Sequence, residues 1–133
     1  MGAWGSGPFE NDDAADWVWE LEDETDASVI IDTLSAVVDT PIDEQVESPA
    51  ASNAIAAAEV LASARGPRSP DLPTEAIEWL RVNGALVDQR LLALAAGAVQ
   101  RVAVDSELKD LWDEEGDDSW AESVRKLLER LRA

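Results

Sequence analysis

The chain has no cysteine, no histidine and no tyrosine, and each absence removes a class of chemistry. Without cysteine there are no disulfides, no thiolate nucleophile and no cysteine metal site. Without histidine the commonest general base, the usual zinc ligand and the Ser/His/Asp triad are excluded. Cations are missing from nearly half of the sequence: residues 1–64 hold fifteen Asp and Glu and no Lys or Arg, and the first cation is Arg65. No apolar run approaches the ~18 residues of a membrane span. The N-terminus lacks the basic and apolar regions of a signal peptide, so a cytoplasmic location is expected. No phosphate-binding loop is present, because Gly5-x-Gly7 precedes a helix but follows no strand.

A chain of 133 residues fits one domain, 1–133. At that size roughly two-thirds of the unfolded chain's surface can be buried. The formal net charge is −19. Such a surface repels phosphate backbones and anionic lipid, so neither nucleic acid nor a membrane is an expected partner. It attracts a basic protein or a cation, although acidity also serves solubility alone.

The apolar pattern is helical throughout and predicts an all-α bundle of about seven helices behind an ordered Gly/Trp/Pro/Phe loop. Asn11 or Asp12 caps a first helix running to Glu22, with Ala14, Trp17, Val18 and Leu21 as its buried stripe. A second helix, 27–39, presents Ile30, Ile31, Leu34, Val37 and Val38; its β-branched content makes strand the competing reading. Thr40 to Glu47 reads as a loop, and Ser48-Pro49 opens an alanine-dense third helix to Ala64. Its small residues on several faces, with Glu59 the only charge, predict a central helix approached closely by its neighbours.

Arg65 to Pro73 is a proline-rich linker that can separate two helical halves or lie within one unit. Helices follow at Thr74–Val82, stopped by Asn83-Gly84, and at Leu86 to Val104. In the latter Gly97 permits close contact with the alanine helix or a bend. Asp105 or Ser106 caps a helix bearing Leu108, Leu111 and Trp112 that stops near Gly116. Asp118 or Ser119 starts a last helix, Ser119 with Glu122 forms its capping box, and its stripe is Trp120, Val124, Leu127, Leu128 and Leu131.

The opening Met-Gly-Ala-Trp-Gly-Ser-Gly-Pro-Phe-Glu-Asn-Asp-Asp-Ala, continuing to Asp16-Trp17, resembles the start of a bacterial family catalogued as domain of unknown function 4259. Ala56-Ala-Ala-Glu-Val-Leu-Ala62 and Asp105-Ser-Glu-Leu-Lys-Asp-Leu-Trp112 are similar to later segments of that family. The resemblance implies a free-standing cytoplasmic bacterial protein of one domain, and it brings no catalytic residues.

Candidate binding residues cluster near the N-terminus. Trp4 and Phe9 either plug gaps between helices or line a cleft. Asp12, Asp13 and Asp16 complement the helix dipole, and Asp12 with Asp16 shares a face at the i,i+4 spacing that can hold a hard cation. Glu44-x-x-Glu47 with Glu107-x-x-Asp110 is a weaker carboxylate constellation. Trp19 falls off the apolar stripe and is the candidate exposed contact.

The leading expectation is a non-enzymatic acidic interaction protein that docks a basic protein, in an inhibitor or immunity-like role. No catalytic residue, metal ligand or cofactor is assigned. The alternatives are a metal-dependent hydrolase using carboxylates alone and a helical module binding a small molecule.

Overall fold

The computed structural model describes residues 7–66, 68, 71–116 and 118–132. The described residues form seven α-helices: α1 Asp12–Glu22, α2 Ser28–Val38, α3 Ser48–Arg65, α4 Thr74–Asn83, α5 Gln89–Val104, α6 Glu107–Glu115 and α7 Ser119–Arg132. A short 3₁₀ turn, Gly84–Leu86, links α4 to α5. Among the described residues no helix is long and apolar enough to cross a membrane.

The start of α1 follows from its sequence. Asn11 is extended and its Oδ1 accepts a hydrogen bond from the Ala14 N–H at 2.8 Å, satisfying one of the free amides of the first turn. Ala14, Trp17, Val18 and Leu21 are buried as their spacing requires. The Trp17 indole N–H donates to the Thr33 hydroxyl at 2.8 Å, and that hydroxyl donates to the Val29 carbonyl at 2.7 Å. One threonine thus satisfies a buried donor and ties α1 to α2.

In α2 the helical spacing of Ile30, Leu34 and Val37, all buried, prevails over β-branched propensity. Ile31 and Val38, expected on the inward side, are exposed. Five apolar positions subtend more arc than the stripe a three-turn helix turns toward its neighbours. The contacts with α3 and α5 cover only the Ile30, Leu34 and Val37 face.

The centre of the bundle is α3, with Pro49 in its first turn. It packs against each of the other six helices, and twelve of its eighteen residues are buried. Alanine permits this because a side chain of one carbon lets neighbouring backbones approach on every side. Glu59, the one acid on this helix, is buried and paired with Arg130 of α7. The Arg130 guanidinium also reaches the Ser63 hydroxyl at 3.4 Å.

The proline-rich stretch does not divide the molecule. Ala76 and Trp79 of α4 belong to the same buried cluster as α1, α3, α5 and α7, and the Trp79 indole N–H donates to the Asp26 carbonyl at 3.3 Å. One buried cluster joins helices on both sides of the stretch among the described residues.

Several local expectations need correction. α4 does end at Asn83-Gly84 as expected, but Gly84 is right-handed, at φ −55° and ψ −29°, and leads directly into the 3₁₀ turn. Leu86 is therefore exposed and outside α5, which begins later because Asp88 caps it by accepting from the Leu91 N–H at 2.9 Å. Gly97 is exposed, and a Cβ built on it meets nothing within 4 Å; it is not a point of close approach to α3. Ser119 is already the first helical residue, with the Asp118 carbonyl accepting from the Glu122 N–H at 3.0 Å. Ser119 therefore lies one position past the cap that a capping box requires.

The 40–47 loop is more structured than its polar sequence implies. Val46 is fully buried and forms an isolated parallel bridge with Ser106, and the Glu107 N–H donates to the Val46 carbonyl at 2.9 Å. Ser106 caps α6 by accepting from the Lys109 N–H at 3.0 Å, while its own hydroxyl donates to the Val102 carbonyl at 2.8 Å. Gly116, at φ 69°, ends α6 in the left-handed conformation that favours glycine.

Candidate functional site

The outward face of α1 is set by its inward one. With Ala14, Trp17, Val18 and Leu21 locked into the core, positions 12, 16, 19 and 23 share the opposite side at helical spacing. They are Asp12, Asp16, Trp19 and Asp23, and all four are exposed. Trp19 shows 71% of its surface. Asp13 is half-buried at the helix edge. None of Asp12, Asp13, Asp16 and Asp23 takes part in an ion pair among the described residues. The result is an indole held in water on a rigid helix between unneutralised carboxylates.

The remaining predicted positions separate from this face. Phe9 is half-buried and packs against the core, beside a turn in which the Glu10 N–H donates to the Gly7 carbonyl at 3.2 Å. Trp4 lies outside the described residues. Asp12 and Asp16 share their face as expected, but among the described residues no group of three or more carboxylates is placed to hold a metal ion.

In the second carboxylate constellation, Glu107 and Asp110 are engaged with the segment next to Glu44 and Glu47. Glu107 Oε1 accepts from the Ser48 N–H at 2.8 Å, supplying α3 with a cap from a distant helix. Asp110 Oδ2 accepts from the Gln45 amide at 2.6 Å. These acids staple the 45–48 segment to α6. They are structural.

Two features escaped the sequence. A cleft of about 240 Å³ lies between α5, α6 and α7, with Trp120, Val124 and Leu128 on its apolar wall. The cations at its edge are compensated. Lys109 Nζ lies 2.6 Å from Asp113, a hydrogen bond that holds the ammonium above its ordinary range. Arg125 pairs with Glu122 and Glu129. Trp120 read simply as core, and nothing in its spacing marks a cavity wall. The other feature is Ile42, 93% exposed on the turn after α2. Its signal was visible as an isolated isoleucine between Pro41 and Asp43 in a polar loop.

A search of curated proteins and a search of solved structures each find no match. The family model described as domain of unknown function (DUF4259) matches residues 2–123, a span that ends within α7. The chain belongs to the DUF4259 family.

Proposed function

We propose that this protein is a non-enzymatic, cytoplasmic bacterial interaction protein that docks a basic protein partner through the outer face of α1. The observation that carries the reading is Trp19. It stands 71% exposed on a helix whose other side is fixed in the core, with the carboxylates of Asp12, Asp16 and Asp23, in no ion pair among the described residues, around it. Large aromatics dominate binding energy where they anchor an interface, and bordering charge of one sign selects a partner of the other. Fifteen acids and no base in residues 1–64 extend that field beyond the contact itself. A cationic toxin bound by its inhibitor is the kind of pair this arrangement suits.

The experiment is affinity capture from a lysate of the source cells at low and high salt, with Trp19→Ala alongside the wild type. The reading requires a basic protein that is retained at low salt and released as ionic strength rises. It also requires the Trp19→Ala protein to lose that protein. Recovery of only neutral or acidic proteins, or of none, contradicts it.

A second reading, a module binding a small apolar molecule, rests on the cleft beside Trp120. Its volume of about 240 Å³ lies just below that of typical ligand pockets, about 300–1,000 Å³, and suits only a small ligand. Quenching of tryptophan emission by a metabolite panel, abolished by Val124→Trp to fill the cleft, supports it; emission unchanged across the panel counts against it.

A further inference from the structure

The exposed large apolar side chains are not scattered evenly. Of the seven among the described residues, Ile31 and Val38 lie on α2, Ile42 on the turn after it, and Val104 at the C-terminal end of α5. Ile31 and Val38 are 42% and 44% exposed and, being seven residues apart, fall on one face about two turns from each other. Ile42 follows four residues beyond Val38.

Arg101 holds that turn in one shape. Its guanidinium donates to three carbonyls: Thr40 at 2.8 Å, Pro41 at 2.9 Å and Glu44 at 2.6 Å. The Glu44 N–H donates to the Pro41 carbonyl at 3.0 Å, Gln45 is tied to Asp110, and Val46 is buried. A loose loop would let an isoleucine fold back onto the protein. This one is fixed with Ile42 in water, so little ordering remains to be lost when a partner covers it.

The surrounding charge names the partner. Asp32, Asp39, Asp43 and Glu44 border the stripe and are exposed, and none joins an ion pair among the described residues. Arg101, the cation at this end, faces inward onto carbonyls. The same face of a second copy would set acids against acids, and an anionic lipid surface is repelled for the same reason. A helix with an apolar stripe flanked by lysine or arginine satisfies both the isoleucines and the carboxylates.

We propose that the outer face of α2, together with the turn displaying Ile42, is a docking surface for a basic amphipathic helix of another protein. It is a different helix face from that of Trp19 and does not rest on the α1 reading.

The test is calorimetric titration of the full chain with a synthetic Leu/Lys amphipathic helix of about 18 residues, long enough to hold helical structure once bound. The control is a peptide of the same composition, shuffled so that its leucines no longer share a face. The proposal requires the amphipathic peptide to bind at least about tenfold more tightly than the shuffled one. It further requires Val38→Ser with Ile42→Ser to reduce that affinity about tenfold, and Val82→Ser, on the exposed side of α4, to leave it within about twofold. Equal binding of the two peptides, no binding of the amphipathic one, or an unchanged affinity in the double variant overturns it. Loss on Trp19→Ala alone also overturns it and moves the contact to α1. Sedimentation of the wild type completes the test: self-association abolished by Ile42→Ser makes the surface a contact between copies and overturns the proposal.

Discussion

Arg130, near the end of α7, forms an ion pair with Glu59, the single acid on the buried α3. The two residues are far apart in sequence, and their contact joins the last helix to the central one. Removing one partner of a buried pair strands the other charge, at about 3–5 kcal/mol. Arg130→Ala is therefore expected to lose up to roughly that much in urea unfolding, since the Glu59 side chain is only 5% exposed while Arg130 lies nearer the surface. Replacing both residues by Leu and Met is expected to recover most of the loss, because a well-packed apolar pair is often at least as stable. A single Arg130→Ala loss below about 1 kcal/mol would show that the pair is solvated.

The hydroxyl of Thr33 is the acceptor for the Trp17 indole. Thr33→Val keeps the shape and removes the acceptor, leaving a buried donor unsatisfied at about 1–3 kcal/mol. Thr33→Ser retains the oxygen and is expected to lose much less. Equal losses in the two variants would mean that methyl packing, not the hydrogen bond, matters at this position.

Two glycines are expected to respond in opposite directions. A Cβ at Gly97 meets open space within an intact helix, so Gly97→Ala stabilises by about 0.5–1 kcal/mol. Gly116 sits at φ 69°, where an L side chain crowds the following carbonyl, and Gly116→Ala destabilises by about 1–2 kcal/mol. Thermal unfolding of both variants checks the contrast.

The hydrogen bonds from Arg125 hold the Glu122 carboxyl below its ordinary value, and those from Arg81 do the same for Glu78. A carboxylate depressed in the folded state contributes stability that is fully present above its unfolded value. That contribution is lost as pH falls through the folded one. Both groups are surface-exposed, so the contribution is small. A carbon-detected NMR titration should show both carboxyls titrating below the usual glutamate midpoint, and Arg125→Gln should return Glu122 upward while leaving Glu78 in place. A Glu122 midpoint unaffected by Arg125→Gln contradicts the assignment.

Where local rules act alone, the sequence is legible. Asn11, Ser106 and Gly116 begin or end helices as their chemistry dictates, and the stripe of α1 is buried residue for residue. The acids and Trp19 face outward for the same reason, since a helix that buries one side must show the other. What stayed hidden depends on distant partners. No local spacing shows that Glu59 meets Arg130, that Arg101 gathers three carbonyls from the 40–44 turn, or that Val46 pairs with Ser106. Ile31 and Val38 are apolar positions on α2, and only the placement of α3 and α5 decides that they remain in water.

The reading of the α1 face stands most directly on the affinity of the captured basic partner for wild type, for Trp19→Ala and for Asp12→Asn with Asp16→Asn, measured across a salt series. The account predicts that Trp19→Ala weakens binding at least about tenfold with the salt slope preserved. It predicts that the Asp12→Asn/Asp16→Asn protein binds more weakly with a shallower slope. Affinities equal to wild type in both variants would contradict it.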